Sequence, residues 1–305
     1  MKKEFFIKNR IIWYTFSSTL IIVGIISMFL NFSKTGSAFN LGIDFTGGTS
    51  MLLQVQSVEK SINSKGELPA EIRNKTQDSI RRTLHNAGVT NVQLTTLDKK
   101  YFSIRTEPMS KEKMDSIINE LKTSLGSVNV LESDFIGPTI GHELQKQALT
   151  IIFVAIFLLL IYITFRFEFW AAVAAIIALV HDSLITLGLT SILKIQVDAA
   201  YVAAILTILG YSINDTIVIF DRVRENTKIL KEDFAKIAET SIWQTLTRSI
   251  NTVTTVLIVL AAIHFFGGVS LKDFSLVLLI GIFFGCYSSI FIASPLLVMF
   301  KKWSE

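Results

Sequence analysis

Residues 199–220 read AAYVAAILTILGYSINDTIVIF, an apolar run that carries one charged side chain, Asp215. A helix of about 20 residues, rising 1.5 Å per residue, crosses the roughly 30 Å hydrocarbon core of a bilayer. The run therefore predicts a transmembrane helix. The polar segment GYSIND (210–215) lies within it, where polar and charged groups are costly and most often serve a function.

Five more apolar runs have comparable length, so the sequence predicts six spans. Half of the residues are hydrophobic and only 18% are charged, which excludes an ordinary soluble protein. The first run follows a basic start, but it is about 20 residues long and lacks a small-x-small cleavage site, so we expect a retained anchor. The predicted spans are 11–30, 149–165, 171–193, 199–220, 250–266 and 274–300.

Basic residues are distributed unevenly among the short loops and predict the orientation. One side carries only Lys194 and Lys272 in its two short loops. We therefore expect both termini and the charged loop 221–247 in the cytoplasm, with an amphipathic helix at 233–243 lying along the membrane surface. The net charge of +4 follows from this bias and does not indicate nucleic-acid binding. The basic residues of the cytoplasmic side are Lys2, Lys3, Lys8, Arg10, Arg166, Arg222, Arg224, Lys228, Lys231, Lys236, Arg248, Lys301 and Lys302.

The long polar segment between the first and second spans predicts one extracytoplasmic domain. We expect three parts of the chain: 1–30 (cytoplasmic segment and first span), 31–147 (the soluble domain) and 148–305 (five spans). Apolar periodicity in the domain predicts strand, helix, strand, strand, helix, strand, which is the α+β ferredoxin-like order. These elements are expected at 50–55, 69–87, 89–95, 101–105, 109–125 and 127–135.

Three stretches resemble the SecF branch of the SecD/SecF family of protein-export membrane proteins, which belongs to the RND superfamily. They are GIDFTGG (42–48), GYSINDTIV (210–218) followed by DRVREN (221–226), and QTLTRS (244–249). Weaker similarities are IGPTIG (136–141) and the pair His181-Asp182. The order and spacing of these motifs across six predicted spans make the resemblance specific.

The resemblance implies a subunit that pairs with SecD in a twelve-span complex of the bacterial inner membrane. That complex assists the SecYEG channel after SecA has acted, and it draws energy from the proton gradient. YajC and YidC are implied as further partners, and the translocating preprotein and membrane lipid as contacts. No enzymatic turnover, cofactor or nucleic acid is expected. Since the chain begins with Met1 and a basic segment, the resemblance favours a separate SecF subunit over a fused SecDF chain.

Asp215 is the main candidate for a proton relay. A carboxylate near the bilayer centre costs about 2.5–3.5 kcal/mol on insertion scales, so it must face a partner or water. Arg248 is the expected partner, because an antiparallel fifth span begins near the end of the fourth, and Asn214 is assigned to the same relay. The alternatives are a static hydrogen-bonded strut for Asp215 and a snorkelling cation for Arg248.

His181 and Asp182 lie inside the third span and are candidates for a second relay group. The alternative for Asp182 is a brace to Asn214 or Ser212 on the neighbouring helix, since polar links between spans contribute about 0.6–2 kcal/mol.

The glycines after the first span suggest a joint in the chain. Gly42, Asp44, Gly47 and Gly48 are expected to form a hinge or packing joint, because glycine permits positive φ and close backbone approach. No Walker pattern follows, which excludes a phosphate-cradling loop. Gly281 and Gly285 predict helix packing in the sixth span. Cys286 is the only cysteine, so a disulfide and a thiolate metal site are excluded within the chain.

Two other functional classes compete with protein export. An intramembrane aspartyl protease would use paired aspartates, but Asp182 and Asp215 lie in His-Asp and Ile-Asn-Asp contexts that do not match such enzymes. A small-molecule exporter of the RND type normally has two large extracytoplasmic loops, and this chain has one.

Overall fold

The computed structural model describes residues 5–62, 68–89, 92–98 and 100–304. Lys2 and Lys3 of the predicted basic start, and residues 90–91 of the predicted strand 89–95, lie outside these ranges. The chain divides into two compact units, one formed by residues up to Asn40 together with those from Ala148 onward, and the other by Leu41–Gln147.

The described elements follow one another along the chain as numbered here. They are α1 (Phe5–Lys8), α2 (Arg10–Thr35), β1 (Asn40–Leu41), α3 (Ile43–Thr46), β2 (Gly48–Val55), α4 (Gln56–Glu59), α5 (Ala70–Asn86), β3 (Val92–Leu97), β4 (Tyr101–Thr106), α6 (Lys111–Leu125), β5 (Val128–Ile136), α7 (Pro138–Arg166), α8 (Phe169–Leu193), β6 (Gln196–Val197), α9 (Ala199–Ile229), α10 (Phe234–Phe266), a 3-10 turn (Val269–Leu271), α11 (Lys272–Ser288), a π-helical turn (Ser289–Ala293) and α12 (Ser294–Ser304).

Within the described ranges, six helical stretches are long and apolar enough to cross a membrane: α2, α7, α8, α9, α10 and the composite sixth span, Val269–Lys302. The prediction of a multi-span helical membrane protein is therefore confirmed, and these six helices are its candidate spans. Each helix continues beyond the predicted apolar run at one end or both.

The expectation of a separate surface helix at 233–243 is wrong. Those residues belong to α10, which runs without interruption from Phe234 to Phe266. Asp233 caps its start by accepting a hydrogen bond from the Ala235 N–H at 3.2 Å, and no glycine or proline breaks the helix after it. The predicted apolar side, including Ile237, Ala238 and Ile242, is buried inside the helical unit rather than placed along a membrane surface.

The centre of the helical unit is formed by α8, α9 and the sixth span. About half of each of these helices is enclosed, whereas α2, α7 and α10 are mostly exposed. Small residues allow the close packing. Gly281 packs against the Ile208 side chain and Gly285 against Ser212, as the small-xxx-small spacing predicts.

The sixth span is not one regular α-helix. The π-helical turn interrupts it after Ser288, and the Ser294 hydroxyl donates a hydrogen bond to the Ser289 carbonyl oxygen at 2.8 Å. This contact satisfies a carbonyl within the irregular turn, which lies inside the buried core. Single π-helical turns of this kind occur frequently at functional sites.

The unit formed by Leu41–Gln147 is a four-stranded sheet covered by helices. The strand order is β3–β4–β2–β5, and every neighbouring pair is antiparallel. Its four strands and two longer helices follow one another in the order that the sequence predicts. Gly88 and Gly126 adopt positive φ just after α5 and α6. One core holds the unit together, with buried side chains Met51, Leu53, Phe102, Ile104, Ile80, Leu84, Ile117 and Leu121.

Candidate functional site

Asp182 lies at the centre of the helical unit with none of its surface exposed. Its Oδ2 atom accepts hydrogen bonds from the Ser212 hydroxyl of α9 at 2.5 Å and from the Ser288 hydroxyl of α11 at 2.7 Å. Because Asp182 belongs to α8, one carboxylate links three spans. Buried carboxylates need such donors, since an unpaired buried charge is strongly unfavourable.

The brace predicted for Asp182 is found with Ser212 and not with Asn214, which is exposed on another face of α9. The reason is helical geometry: side chains two residues apart point about 200° away from each other. His181 completes the group, because its Nδ1 atom lies 2.8 Å from Asp182 Oδ1. The ring also stacks on Tyr287, with 6.3 Å between the centroids. A role for His181 and Asp182 in proton transfer stays a prediction.

Asp215 is also buried, with 5% of its surface exposed, but its surroundings differ. The Cys286 thiol of α11 and the Ser249 hydroxyl of α10 lie beside its carboxylate, and Arg248 is the charged group that acts on it. The carboxylate therefore lies between α9, α10 and α11, and its role in proton transfer stays a prediction.

Arg248 reaches the same depth as Asp215. Asp215 lies about 14 residues before the end of α9, and Arg248 about 14 residues after the start of α10, so the antiparallel pair brings them level. Asp215 and Arg248 both lie within the described ranges, and the structure shows no ion pair between them. Arg248 is exposed, as is Asn214. Direct pairing of Asp215 with Arg248 stays a prediction.

The DRVREN motif (221–226) forms a second polar group near the C-terminal end of α9. Asp221 makes ion pairs with Arg166, the last residue of α7, and with Arg224 at 3.2 Å. The Asn226 amide donates to Ser241 Oγ at 2.8 Å and to Gln244 Oε1 at 2.9 Å, both on α10. The motif thus joins the ends of neighbouring spans, which explains its dense polar composition.

The GG motif lies in the other unit and packs against a second predicted motif. Gly47 has φ +69° and ψ 171°, a conformation that is essentially restricted to glycine. A Cβ atom at Gly47 would lie 2.9 Å from Pro138 Cα, and one at Gly141 would lie 2.7 Å from the Gly47 nitrogen. Gly42 is the N-cap of the short helix α3 that precedes it, and Asp44 lies in the first turn of that helix. The two glycine-containing motifs therefore meet at the start of α7, while a hinge function stays a prediction.

Glu239 is a polar group that the sequence interpretation missed. It is only 4% exposed, and its carboxylate accepts hydrogen bonds from the backbone N–H groups of Phe5, Phe6 and Ile7 at 2.9–3.2 Å and from the Trp243 indole at 3.1 Å. A signal was present, because positions 235, 238, 239 and 242 share one helical face and Glu239 is the acidic member of that apolar stripe. Ser288 was missed as well, although a serine pair stands out in the apolar run 274–300.

Comparisons with known proteins identify the family. The family described as "Protein export membrane protein SecD/SecF, C-terminal" matches residues 116–303, and the "SecD/SecF GG Motif" matches residues 36–57. The protein translocase subunit SecF of Sebaldella termitidis is 37% identical over 300 residues, which covers 98% of this chain and 92% of that relative.

Longer relatives contain the same region. The protein translocase subunit SecDF of Thermus thermophilus is 37% identical over 272 residues, covering 87% of this chain and 35% of that protein. A crystal structure of SecDF from Thermus thermophilus, described as a translocon-associated membrane protein, matches with a TM-score of 0.82 at 34% identity and covers 98% of this chain and 38% of that chain. This chain belongs to the SecF family of protein translocase subunits.

Proposed function

We propose that this protein assists protein translocation across the bacterial inner membrane as the SecF partner of SecD, and that Asp215 takes up and releases the protons that drive it. It acts on the SecYEG channel after SecA, and YajC, YidC, the preprotein and lipid are its further contacts. The observation that carries the proposal is a buried carboxylate beside an exposed polar face within the spans.

That polar face is formed by α9 and α10. Its exposed residues lie within about 12 Å of Asp215 or Arg248 along their own helices, inside the spans, where lipid would leave polar groups without partners. An exposed arginine and asparagine at this depth favour a second membrane protein as the neighbour, and a SecDF relative carries such a neighbour in the same chain. The exposed residues are Thr207, Tyr211 and Asn214 on α9, and Thr247, Arg248 and Asn251 on α10.

The relay itself needs a group that changes its charge and a cation that responds. The Cys286 thiol and the Ser249 hydroxyl lie beside Asp215, and Arg248 acts on it without an ion pair. A guanidinium that can approach the ionised carboxylate and withdraw from the protonated one would couple proton uptake to movement of α10 against α9. Asn214, next to Asp215 on the exposed side, completes the proposed relay.

The same proposal assigns a role to each remaining part of the chain. Residues 1–30 and 148–305 supply the spans, with both termini and the loop 221–247 in the cytoplasm. Residues 31–147 form a ferredoxin-like extracytoplasmic domain, which the antiparallel order β3–β4–β2–β5 supports. The glycines at 42, 47 and 48, with Asp44, form the joint between the first span and this domain. The subunit couples movement to transport and has no enzymatic turnover of its own.

The two alternatives have less support. An aspartyl protease needs two carboxylates that share a site, whereas Asp182 bonds to Ser212 and Ser288 and Asp215 lies beside Cys286 and Ser249. A small-molecule exporter of the same superfamily would require a second large soluble loop. Among the described residues, the only large unit outside the spans is Leu41–Gln147.

The decisive experiment replaces Asp215 by asparagine and measures secretion with and without a proton gradient. We expect Asp215→Asn to abolish the gradient-dependent part of secretion at normal abundance, since asparagine keeps the shape but cannot ionise. Arg248→Met should also abolish the gradient-dependent part of secretion. Arg248→Lys keeps the positive charge without the guanidinium, so it tests whether charge alone near Asp215 supports secretion. The control is Asp115→Asn, which changes an exposed aspartate on α6. Full activity of Asp215→Asn would refute the relay, and recovery of the protein from native membranes without SecD would refute the partnership.

A further inference from the structure

Three spans of the helical unit are tied together beside Asp215. Asp182 on α8 accepts hydrogen bonds from Ser212 on α9 and Ser288 on α11, at 2.5 and 2.7 Å. Ser212 lies one helical turn before Asp215, and Ser288 is the last residue before the π-helical turn. Asp182 therefore contacts the helix that carries Asp215 and the helix that packs against it.

A second pair of contacts joins α9 to the π-helical turn at residues before and after Asp215. Ser289, the first residue of the π-helical turn, shares a hydrogen bond of 2.8 Å with the Thr216 hydroxyl. Its own hydroxyl also lies 3.3 Å from the Ser212 carbonyl oxygen. Asp215 thus lies between two residues of α9, Ser212 and Thr216, that are both bonded to the sixth span.

Close packing makes these contacts sensitive to small movements. A Cβ atom at Gly285 would lie 3.0 Å from the Ser212 Cβ, so α9 and α11 already touch at this level. A buried hydroxyl that loses its acceptor is destabilised. Asp182 Oδ2 is the acceptor that the Ser212 and Ser288 hydroxyls share, so it holds α9 and α11 in one register.

We propose that Asp182 is a positioning residue for Asp215, acting through Ser212 and Ser288 to fix α9 against the π-helical turn of the sixth span. The inference rests on the proposed relay role of Asp215 and adds the group that aligns it. Asp182 itself transfers no proton in this scheme. Its task needs an acceptor of the right shape and does not need ionisation.

The test compares Asp182→Asn with Asp182→Leu in native membranes. Asparagine keeps an oxygen that can accept from both serines, and leucine removes every acceptor. Cys286 is the chain's only cysteine and lies beside Asp215, so its rate of labelling by N-ethylmaleimide reports the local register of α11. We expect Asp182→Leu to change this rate by about tenfold or more and to abolish gradient-driven secretion. Asp182→Asn should retain the labelling rate and most of the secretion.

A matched control and a milder variant keep the test decisive. Ser183→Ala removes a hydroxyl that bonds only within α8, and both measurements should stay unchanged. If Asp182→Leu does not accumulate, the double variant Ser212→Ala, Ser288→Ala removes both donors and should change the labelling rate in its place.

The outcomes separate this inference from the proposed relay. Loss of secretion in Asp182→Asn with normal Cys286 labelling would make Asp182 a proton-transfer group and overturn the positioning role. Unchanged labelling in Asp182→Leu and in the double serine variant would also overturn it. Normal secretion in Asp215→Asn would remove the relay, while the labelling comparison would still test whether Asp182 holds the register.

Discussion

Gly24 of α2 and Gly188 of α8 meet backbone to backbone, and a Cβ atom added at Gly24 would lie 2.6 Å from Gly188 Cα. In a membrane, where apolar burial does not favour one helix neighbour over lipid, such close backbone contact is a main source of helix association. The contact attaches the mostly exposed first span to the centre of the helical unit.

Gly24→Ala should therefore lower the stability of the helical unit. The methyl group has no space unless two backbones separate, which costs about 1–3 kcal/mol in a packed interior. Thermal unfolding of the purified protein in detergent measures the effect. Gly210→Ala is the control, because a Cβ atom there meets nothing within 4 Å and alanine favours the helix. Equal unfolding temperatures for the two variants would contradict this account of the contact.

Glu239→Ala should release the first residues of the described chain. The carboxylate is the acceptor for the N–H groups of Phe5, Phe6 and Ile7, and bonds to a charged acceptor are worth about 1.5–3 kcal/mol. Hydrogen exchange followed by mass spectrometry should show these amides exchanging at least about tenfold faster. Glu225→Ala, which removes an exposed glutamate paired with Arg222, should leave them unchanged. Faster exchange in both variants would point to general loosening instead.

Gly47→Ala should be more damaging than Gly36→Ala, although both glycines have positive φ. Gly36 has φ 74° and ψ 1°, with open space where a Cβ would lie, so alanine there costs about 1 kcal/mol. Gly47 combines a conformation that other residues avoid, at about 1–3 kcal/mol, with a clash against Pro138. Thermal unfolding of the two variants gives the comparison. A smaller drop in unfolding temperature for Gly47→Ala than for Gly36→Ala would show that the backbone around Gly47 and Pro138 shifts readily to accept the methyl group.

The proposed orientation predicts which loops an impermeant maleimide reaches from outside intact spheroplasts. In a Cys286→Ser background, Lys194→Cys should be labelled, because it follows α8 on the expected extracytoplasmic side. Lys231→Cys, in the connection between α9 and α10, should be labelled only after the membrane is opened. Both lysines are exposed, so accessibility within the protein does not bias the result. Labelling of Lys231→Cys in intact spheroplasts would contradict the proposed orientation.

The fifth span shows where interpretation of the sequence reached its limit. The amphipathic pattern at 233–243 is the same whether the apolar stripe lies on a membrane or against other helices. The stripe is buried by the neighbouring helices instead, and Glu239 within it binds the backbone of α1. Nothing local to those residues distinguishes the two environments, because the choice depends on what the rest of the chain places nearby.

The polar residues inside the spans also show which features the sequence predicts and which only helix packing decides. The cost of Asp182 and Asp215 inside apolar runs was sufficient to identify both as special, because it depends only on residue type and depth. That reasoning left Ser212 and Asn214 open as partners of Asp182 and did not include Ser288; the structure has Ser212 and Ser288 as the donors, while Asn214 lies on another face of α9. A rotation of about 100° per residue places Ser212 and Asn214 on different sides, so only the packing of α8 and α11 decides which one becomes a partner.

The sequence by itself determined the number of spans, the unequal distribution of basic loops and the order of elements in the soluble unit. Hydropathy and periodicity are local properties, and the thickness of the bilayer sets the length that a span requires. The tertiary structure alone decided the contact of Gly24 with Gly188, the partners of Asp182 and the π-helical turn beside Ser288. These features depend on distances of a few ångströms between helices that are far apart in the chain, and a local pattern carries no information about such distances.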